Sequence, residues 1–410
     1  MANKSPEQNI GRYKSMTVEG FRLFERLELT DLAPVNIFFG PNNAGKSSIL
    51  EAVFAHACGY NLDPFLKQCV FRRTGGSVTG VLDLGEQILL TFRDRFTPPY
   101  AFTISAEVLD VSAQKRLWDT SPHTLTATFE PGSELANLDP RALGQPTNGL
   151  YIDSSIEGGP IVSISRPIEP QSIVGPVRTR LFLGTWAIQL NGGEKARVDL
   201  HIPAEIPLVS PFKQAVMHDI LGHRNPATGR RVFSLLKRSR LLAEFTAQMA
   251  QVFEDVTEID LYPYPDNTPG VVMVITPDGQ QRPLYVFGDG MQRWFYLLGN
   301  MIVYKNAIHC IEEIDATLHP DAQQDFARLL VKYTQKYQNQ LFVTSHSIEF
   351  LDAFLAALYA EESSDLLENE DPVRVFTILP GKLDGQPEVW SRTGREAYKD
   401  RQQYGMELRG

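Results

Sequence analysis

A glycine-rich loop constrains this chain more than any other feature. Residues 38–48 read Phe38-Phe39-Gly40-Pro41-Asn42-Asn43-Ala44-Gly45-Lys46-Ser47-Ser48, which fits the G-x-x-x-x-G-K-[ST] pattern of a phosphate-cradling loop. Val35 to Phe39 is an apolar run suited to a buried strand, and Ile49, Leu50, Val53, Phe54 and Ala57 recur at helical spacing. The glycines therefore lie between a strand and a helix, the context the motif needs. Backbone N–H groups and the positive helix end suit phosphates. Lys46 is expected to reach the β- and γ-phosphates of ATP and Ser47 to ligate Mg²⁺. Gly40, Pro41, Asn42, Asn43, Ala44, Gly45 and Ser48 complete the cradle.

The rest of the chain is large enough for a second lobe. At 410 residues it can bury a sizeable core. No apolar run approaches the roughly 18 residues that span a bilayer, and Met1 to Tyr13 is polar with no signal-peptide h-region. Both observations predict a cytoplasmic protein with no membrane partner. Cys58, Cys69 and Cys310 are too scattered for a disulfide framework. The eight histidines show no metal-binding spacing, so the only metal expected is the nucleotide's Mg²⁺. The net charge of −10 argues against an overall basic surface but permits a local basic groove.

Taken in order, residues 1–14 read as a flexible lead. Met16 to Phe24 alternates like a strand, and Leu27 and Leu29 continue the pattern before the turn Asp31-Leu32-Ala33-Pro34. A hairpin is expected there. Arg22, with Phe21 and Phe24, suits contact with the base or α-phosphate; a packed strand end with a surface Arg is the equal alternative. Residues 76–207 are β-prone: Val78 to Leu84, Gln87 to Phe92, Phe102 to Val108, Thr124 to Phe129, Ile161 to Ile164 and Val198 to Ile202 are punctuated by Gly, Pro, Asp and Asn. Pro131 to Gly159 reads as loop.

Residues 208–256 change character, with helical periodicity in Ala215 to Leu221 and Val232 to Phe253. Here His223 to Arg231 and Lys237 to Arg240 form the densest basic cluster, which suits DNA or an acidic partner, or else a solvated helix face. Strands are expected at Ile259 to Tyr264 and Val271 to Ile275, then a last short one near Leu284 to Phe287.

The segment Ala307-Ile308-His309-Cys310-Ile311-Glu312-Glu313-Ile314-Asp315 ends an apolar strand in paired acids. Alternation along a strand sends successive side chains to opposite faces. Glu312 is thus expected to hold Mg²⁺ and Glu313 to polarise the attacking water, a division that suffices for phosphoryl transfer. Leu341 to Ser345 is another apolar strand, and His346 after it suits a hydrogen bond to the γ-phosphate. Gly288, Asp289 and Gly290 open a helix running to Val303, where an anion is again favoured.

This order of parts resembles the ABC-type ATPase superfamily, which includes SMC proteins, RecF and the OLD ATPases. Residues 16–24, 39–52, 311–320 and 343–351 carry the resemblance, and together they are most similar to the OLD-like group. The fold implied is α/β, an ABC-type P-loop ATPase head with a β-rich first lobe and a helical insertion lobe. Its parts would be an N-terminal head segment at 15–75, a β-rich insert at 76–207, a partly basic helical insertion at 208–256, a C-terminal head segment at 257–380 and a closing segment at 381–410. The resemblance makes Lys46 and Ser47 part of Walker A, Glu312 and Glu313 Walker B, and Asp315 the start of the D-loop. It makes His346 the switch histidine and Gly288 to Gln292 the signature. Gln68 is the nearest match to the γ-phosphate-sensing glutamine, which can also reach the metal.

Two positions depart from the pattern. Glu312 stands where many relatives carry Asp, and the signature lacks Ser-Gly-Gly. An acid at 289 faces a phosphate unfavourably unless it caps the helix. The resemblance also implies a homodimer or higher even-numbered oligomer that sandwiches ATP. No heptads of an SMC arm are present, and the stretch after His346 is too short for a TOPRIM nuclease domain. The expectation is a stand-alone ATPase regulating a separate effector, a nuclease or toxin, in anti-phage defence. The alternatives are a DNA-repair ATPase binding DNA through 223–240, and an assembly scaffold with little turnover.

Overall fold

The computed structural model describes residues 12–58, 63–65, 68–69, 90–94, 100–109, 120–131, 148–156, 162–163, 172–173, 177–190, 193–201, 214–263, 270–318, 320–360, 371–381 and 386–404. The strands between 120 and 201 are described as backbone alone. The chain divides into two compact units. One comprises 1–32, 47–213 and 380–388; the other comprises 33–46, 214–379 and 389–410.

The first unit is built on antiparallel pairing. β1 (Arg12–Phe21) and β2 (Phe24–Leu29) form the expected hairpin, with Met16 opposite Leu29 and Phe21 opposite Phe24. The chain then runs through β3 (Val35–Phe39) and α1 (Lys46–Cys58). It returns to this unit's sheet with β4 (Tyr100–Leu109), β5 (Thr120–Pro131), β6 (Asn148–Ile156), β9 (Val177–Leu190) and β10 (Gly193–His201). The seven strands lie in the order β10-β9-β6-β5-β4-β1-β2, and β7 (Val162–Ser163) pairs separately with β8 (Ser172–Ile173). β6 occupies part of the stretch read as loop. Its Asp153, Ser154 and Ser155 mask the pattern, and its partners β5 and β9 supply the ladder. The strand expected at 78–84 lies outside the described residues, as do 87–89 of the one at 87–92. In α1, the buried Ile49, Leu50, Val53, Phe54 and Ala57 are the residues whose spacing predicts the helix.

The second unit is a six-stranded sheet in the order β11-β15-β16-β3-β17-β18. β11 is Gln214–His218, β15 Ala307–Ile311, β16 Gln340–Ser345, β17 Val373–Leu379 and β18 Glu388–Thr393. The pairings β11–β15, β15–β16, β16–β3 and β3–β17 are all parallel. Every residue of β3, β15 and β16 is buried, as expected for strands covered on both faces. Phe38 is stacked between Phe342 and Phe376. A smaller sheet holds β12 (Glu258–Tyr262), β13 (Val271–Ile275) and β14 (Gln281–Pro283).

Two elements of this unit differ from the sequence expectation. Residues 214–218 form strand β11, where helical spacing was read; pairing with the buried β15 overrides that local period. The last strand of the small sheet is 281–283, and Leu284 to Val286 is a single 3₁₀ turn. The helices are α2 (Pro226–Arg238), α3 (Leu242–Val252), α4 (Asp289–Val303), α5 (Pro320–Lys336), α6 (Ile348–Tyr359) and α7 (Gly394–Tyr404). Asn225 caps α2 by accepting from the Ala227 N–H, with Pro226 at the first helical position. Val232, Phe233, Leu236, Phe245 and Met249 of α2 and α3 share one core cluster with Trp294, Phe295 and Phe326. α4 is buried from Met291 to Ile302, and such a helix is the interior element of its layer. Among the described residues no helix is long and apolar enough to cross a membrane.

Candidate functional site

In a parallel sheet, ligands bind beyond the carboxyl ends of the strands. The ends of β3, β15 and β16 deliver Gly40, Glu312 and His346 respectively. The phosphate loop begins at once. A Cβ on Gly40, at φ +154°, would lie 2.2 Å from the Ile378 carbonyl oxygen of β17, so only glycine lets the loop leave the sheet there. Ala44 is buried, Asn42 and Asn43 are exposed, and Ser47 and Ser48 open α1 half-buried. Lys46 is nearly buried, and its Nζ donates to the carbonyls of Gly40 (2.8 Å) and Pro41 (2.7 Å). Burial lowers its pKa, against the opposing pull of the Glu313 and Asp315 charges. The structure thus brings Lys46, Glu313 and Asp315 into one electrostatic neighbourhood.

The paired acids are not the last residues of a strand. β15 ends at Ile311, and Glu313 has φ +42°. A left-handed turn, in place of strand alternation, separates Glu312 from Glu313. Such a conformation costs a bulky residue about 1–3 kcal/mol unless its surroundings fix it. Here they do. The N–H of Glu312 donates to the His218 carbonyl (2.9 Å), that of Glu313 to Thr344 Oγ1 (2.9 Å), and that of Ile314 to the Thr344 carbonyl (2.9 Å). From α4, the guanidinium of Arg293 donates to the carbonyls of Glu312 (2.9 Å), Glu313 (2.6 Å) and Ile220 (2.9 Å). Arg293 is fully buried. Burial depresses its pKa, opposed by Asp315, Tyr296, Glu313 and Asp219. One buried oxygen of Asp315, Oδ1, has no hydrogen-bond partner among the described residues.

Behind the acids lies a buried histidine pair. The rings of His218 and His309 are stacked at 12° with centroids 5.2 Å apart, and His218 Nε2 is 2.9 Å from His309 Nδ1. His309 Nε2 meets the Tyr304 carbonyl at 3.2 Å. A carbonyl only accepts, so Nε2 of His309 carries the proton and its Nδ1 accepts from His218 Nε2–H. Burial pushes His309 down to about 4 and His218 well below the ordinary imidazole value. Both rings are neutral at physiological pH.

The other sequence-predicted residues are placed as follows. His346 is exposed, and Ser347 beside it caps α6 by accepting from the Phe350 N–H (3.0 Å). Gly288 precedes α4 and offers no side-chain cap. Gly290 lies against the turn that follows the acids: a Cβ there would come within 3.2 Å of the Thr317 carbonyl oxygen. Asp289 is ion-paired with Arg224. In the first unit, Arg22 sits at φ +54°, pairs with Glu51 of α1 (2.8 Å) and donates to the Leu90 carbonyl (3.2 Å). Gln68 is exposed beside the buried Cys69.

Arg293, Thr344 and His218 carry no role in the sequence reading, and Arg224 enters it only as a member of the basic cluster. Arg293 lies just past the signature, and an arginine on an otherwise apolar helix face was the available signal.

Among the described residues, no group of three His, Cys, Asp or Glu side chains could hold a metal alone. Mg²⁺ at a nucleotide takes one or two carboxylates and completes its shell with phosphate and water. The part-buried Glu312 and the orphaned Oδ1 of Asp315 are oxygen donors of the kind a hard cation takes.

Two family models match the chain. Residues 187–352 match "AAA domain, putative AbiEii toxin, Type IV TA system", and residues 15–76 match "AAA domain". A relative from Helicobacter pylori (strain ATCC 700392 / 26695), named "ATP/GTP phosphatase", is 22% identical over 361 residues, covering 83% of this chain and 86% of the relative. Among solved structures, an SMC head bound to the C-terminal winged-helix domain of ScpA is 12% identical with a TM-score of 0.45, covering 94% of this chain and 99% of that one. The SMC head domain from Thermotoga maritima is 12% identical with a TM-score of 0.39, covering 93% and 99%. The parallel strand order and the phosphate loop are those of an α/β P-loop nucleotide-binding fold, and residues 15–76 and 187–352 are similar to AAA domains.

Proposed function

We propose that this chain is an ATP-hydrolysing switch that closes on a second copy when ATP binds and gates a separate effector protein. The observation that carries the reading is the neighbourhood of Lys46, Glu313 and Asp315, set beside an acid pair whose backbone is fixed by Arg293 and Thr344. Lys46, nearly buried with its Nζ on the carbonyls of Gly40 and Pro41, is the cation that phosphate charge would draw. Glu313, held in a left-handed turn, is the base that orients and deprotonates water. Phosphoryl transfer asks mainly for such positioning and charge stabilisation. Ser47 and Glu312 are the residues that would hold Mg²⁺, which neutralises phosphate charge. His346, exposed after β16, supplies a further donor to the γ-phosphate.

Two observations support partners. The first turn of α4 has no side-chain cap, so its N–H donors suit a phosphate brought by another copy. The matched model's description names a toxin–antitoxin system, which supports a defence-type effector over a housekeeping role. The basic stretch 223–240 favours DNA less. Arg224 is engaged by Asp289, Arg231 donates to the Tyr304 hydroxyl, Arg230 contacts the Gly270 carbonyl, and Lys237 lies 4.0 Å from Asp260.

Phosphate release from ATP tests the activity. The intact chain is expected to turn over ATP, and Lys46→Ala and Glu313→Gln to slow it about 100-fold or more. Glu313→Gln should still bind a fluorescent ATP analogue. An intact chain that releases no phosphate contradicts the reading. Pull-down with mass spectrometry identifies the effector.

A further inference from the structure

β16 lies between β15, the strand that leads into the acids, and β3, the strand that leads into the phosphate loop. Its last two residues, Thr344 and Ser345, are polar and buried. Neighbours on a strand point to opposite faces, so the two hydroxyls leave β16 in opposite directions. Buried hydroxyls in folded proteins find hydrogen-bond partners. Each of these finds its partner in a segment that carries a candidate reacting group.

The regular pairing of β15 with β16 stops at Ile311, opposite Val343. Beyond it, the left-handed turn at Glu313 takes the chain off the ladder. Thr344 holds that turn with two acceptors. Its Oγ1 takes the Glu313 N–H and its carbonyl takes the Ile314 N–H, both at 2.9 Å. Ser345 acts on the other side. It pairs with Phe39, the residue before Gly40, and its Oγ accepts the Ser347 N–H at 3.1 Å. A hydroxyl bonded to the N–H two residues on folds the backbone back across the residue between, here His346. Ser347 then accepts the Phe350 N–H and donates to Glu349, so α6 starts at once. The backbone of His346 is therefore held on both flanks, although the residue itself is exposed.

We propose that Thr344 and Ser345 are paired positioning residues for ATP hydrolysis, one hydroxyl setting the direction of Glu313 and the other that of His346. The inference rests on the reading of Glu313 as the base and His346 as the γ-phosphate donor. Each hydroxyl acts through a backbone N–H. Because the two are adjacent on one buried strand, the base and the donor keep a fixed separation from each other and from the phosphate loop beside them. A reacting group displaced by about 1 Å can cost about 100-fold in rate, so these two acceptors matter to turnover far more than to nucleotide binding.

The test is phosphate release by the chain and its variants, with affinity for a fluorescent ATP analogue measured alongside. Thr344→Val keeps the shape and loses the acceptor oxygen; kcat should fall about tenfold or more, with KM and affinity unchanged. Thr344→Ser keeps the oxygen and should stay within about threefold of the intact chain. Ser345→Ala should lower kcat about tenfold, and Ser345→Thr should recover most of the loss. A positioning residue has nothing to position once its target is gone. Thr344→Val should therefore lose nothing further when added to Glu313→Gln, and Ser345→Ala nothing further when added to His346→Ala. Hydrogen exchange read by mass spectrometry checks that each variant is folded: exchange should rise only in 312–316 for Thr344→Val and only in 346–350 for Ser345→Ala. Variants that turn over at the intact rate overturn the inference. So do a Thr344→Ser no better than Thr344→Val, losses that add in full to those of Glu313→Gln and His346→Ala, or exchange that rises throughout the sheet, which makes the hydroxyls general supports of the fold. An intact chain that releases no phosphate overturns the hydrolysis reading itself, a result distinct from an active chain with indifferent variants.

Discussion

Two arginines meet the start of α4 in opposite ways. Arg293 is buried and bonded to three backbone carbonyls, two of them in the acid pair. Arg224 is more than half exposed and holds only a side chain, Asp289, across 65 residues of sequence. The first arrangement is fixed: removing it takes the donor from three carbonyls and the positive charge from beside the part-buried Asp315 and Glu313. The second can exchange its anion at little cost, because water screens the pair. The helix thus has a fixed contact toward the acids and an exchangeable one at its tip.

Breaking the fixed contact should have the largest effect. Arg293→Met is expected to cost about 3–5 kcal/mol, because three carbonyls lose their donor at about 1–3 kcal/mol each, and to abolish turnover; urea denaturation measures it. The next effect comes from pH. Burial holds His309 at about 4, against 6.5 when unfolded, so the unfolded chain binds more protons between these values. Stability should therefore be full above pH 6.5 and fall steadily toward pH 4, and His309→Gln should flatten that slope. Thr344→Val removes the acceptor for the Glu313 N–H and should cost about 1–2 kcal/mol, with slower turnover at nearly unchanged ATP binding. Arg224→Ala should change stability least, within about 0.5 kcal/mol. A thermal shift for Arg224→Ala as large as that for Arg293→Met would erase the contrast.

How much of this was legible in the sequence divides along the same line. The phosphate loop, the buried strands β3, β15 and β16, and the hairpin were readable because each is a contiguous pattern. Gly40 was readable as a motif position, though its reason, the Ile378 carbonyl, lies in a strand more than 300 residues on. β11 was misread because its strand character comes from pairing with β15. β6 was hidden by its serines and aspartate. The acids were found, but the means of separating them was not: a positive φ at Glu313 leaves no trace in a sequence. Arg293 and Arg224 act on residues distant in the chain, and no local period announces such partners.

The account stands most directly on the mass of Glu313→Gln in solution, with its phosphate loop and Arg293 contacts intact. With ATP and Mg²⁺ it should sediment as a dimer or higher even-numbered assembly that persists, and with ADP as a single chain. The same mass with either nucleotide, while ATP remains bound, would contradict it.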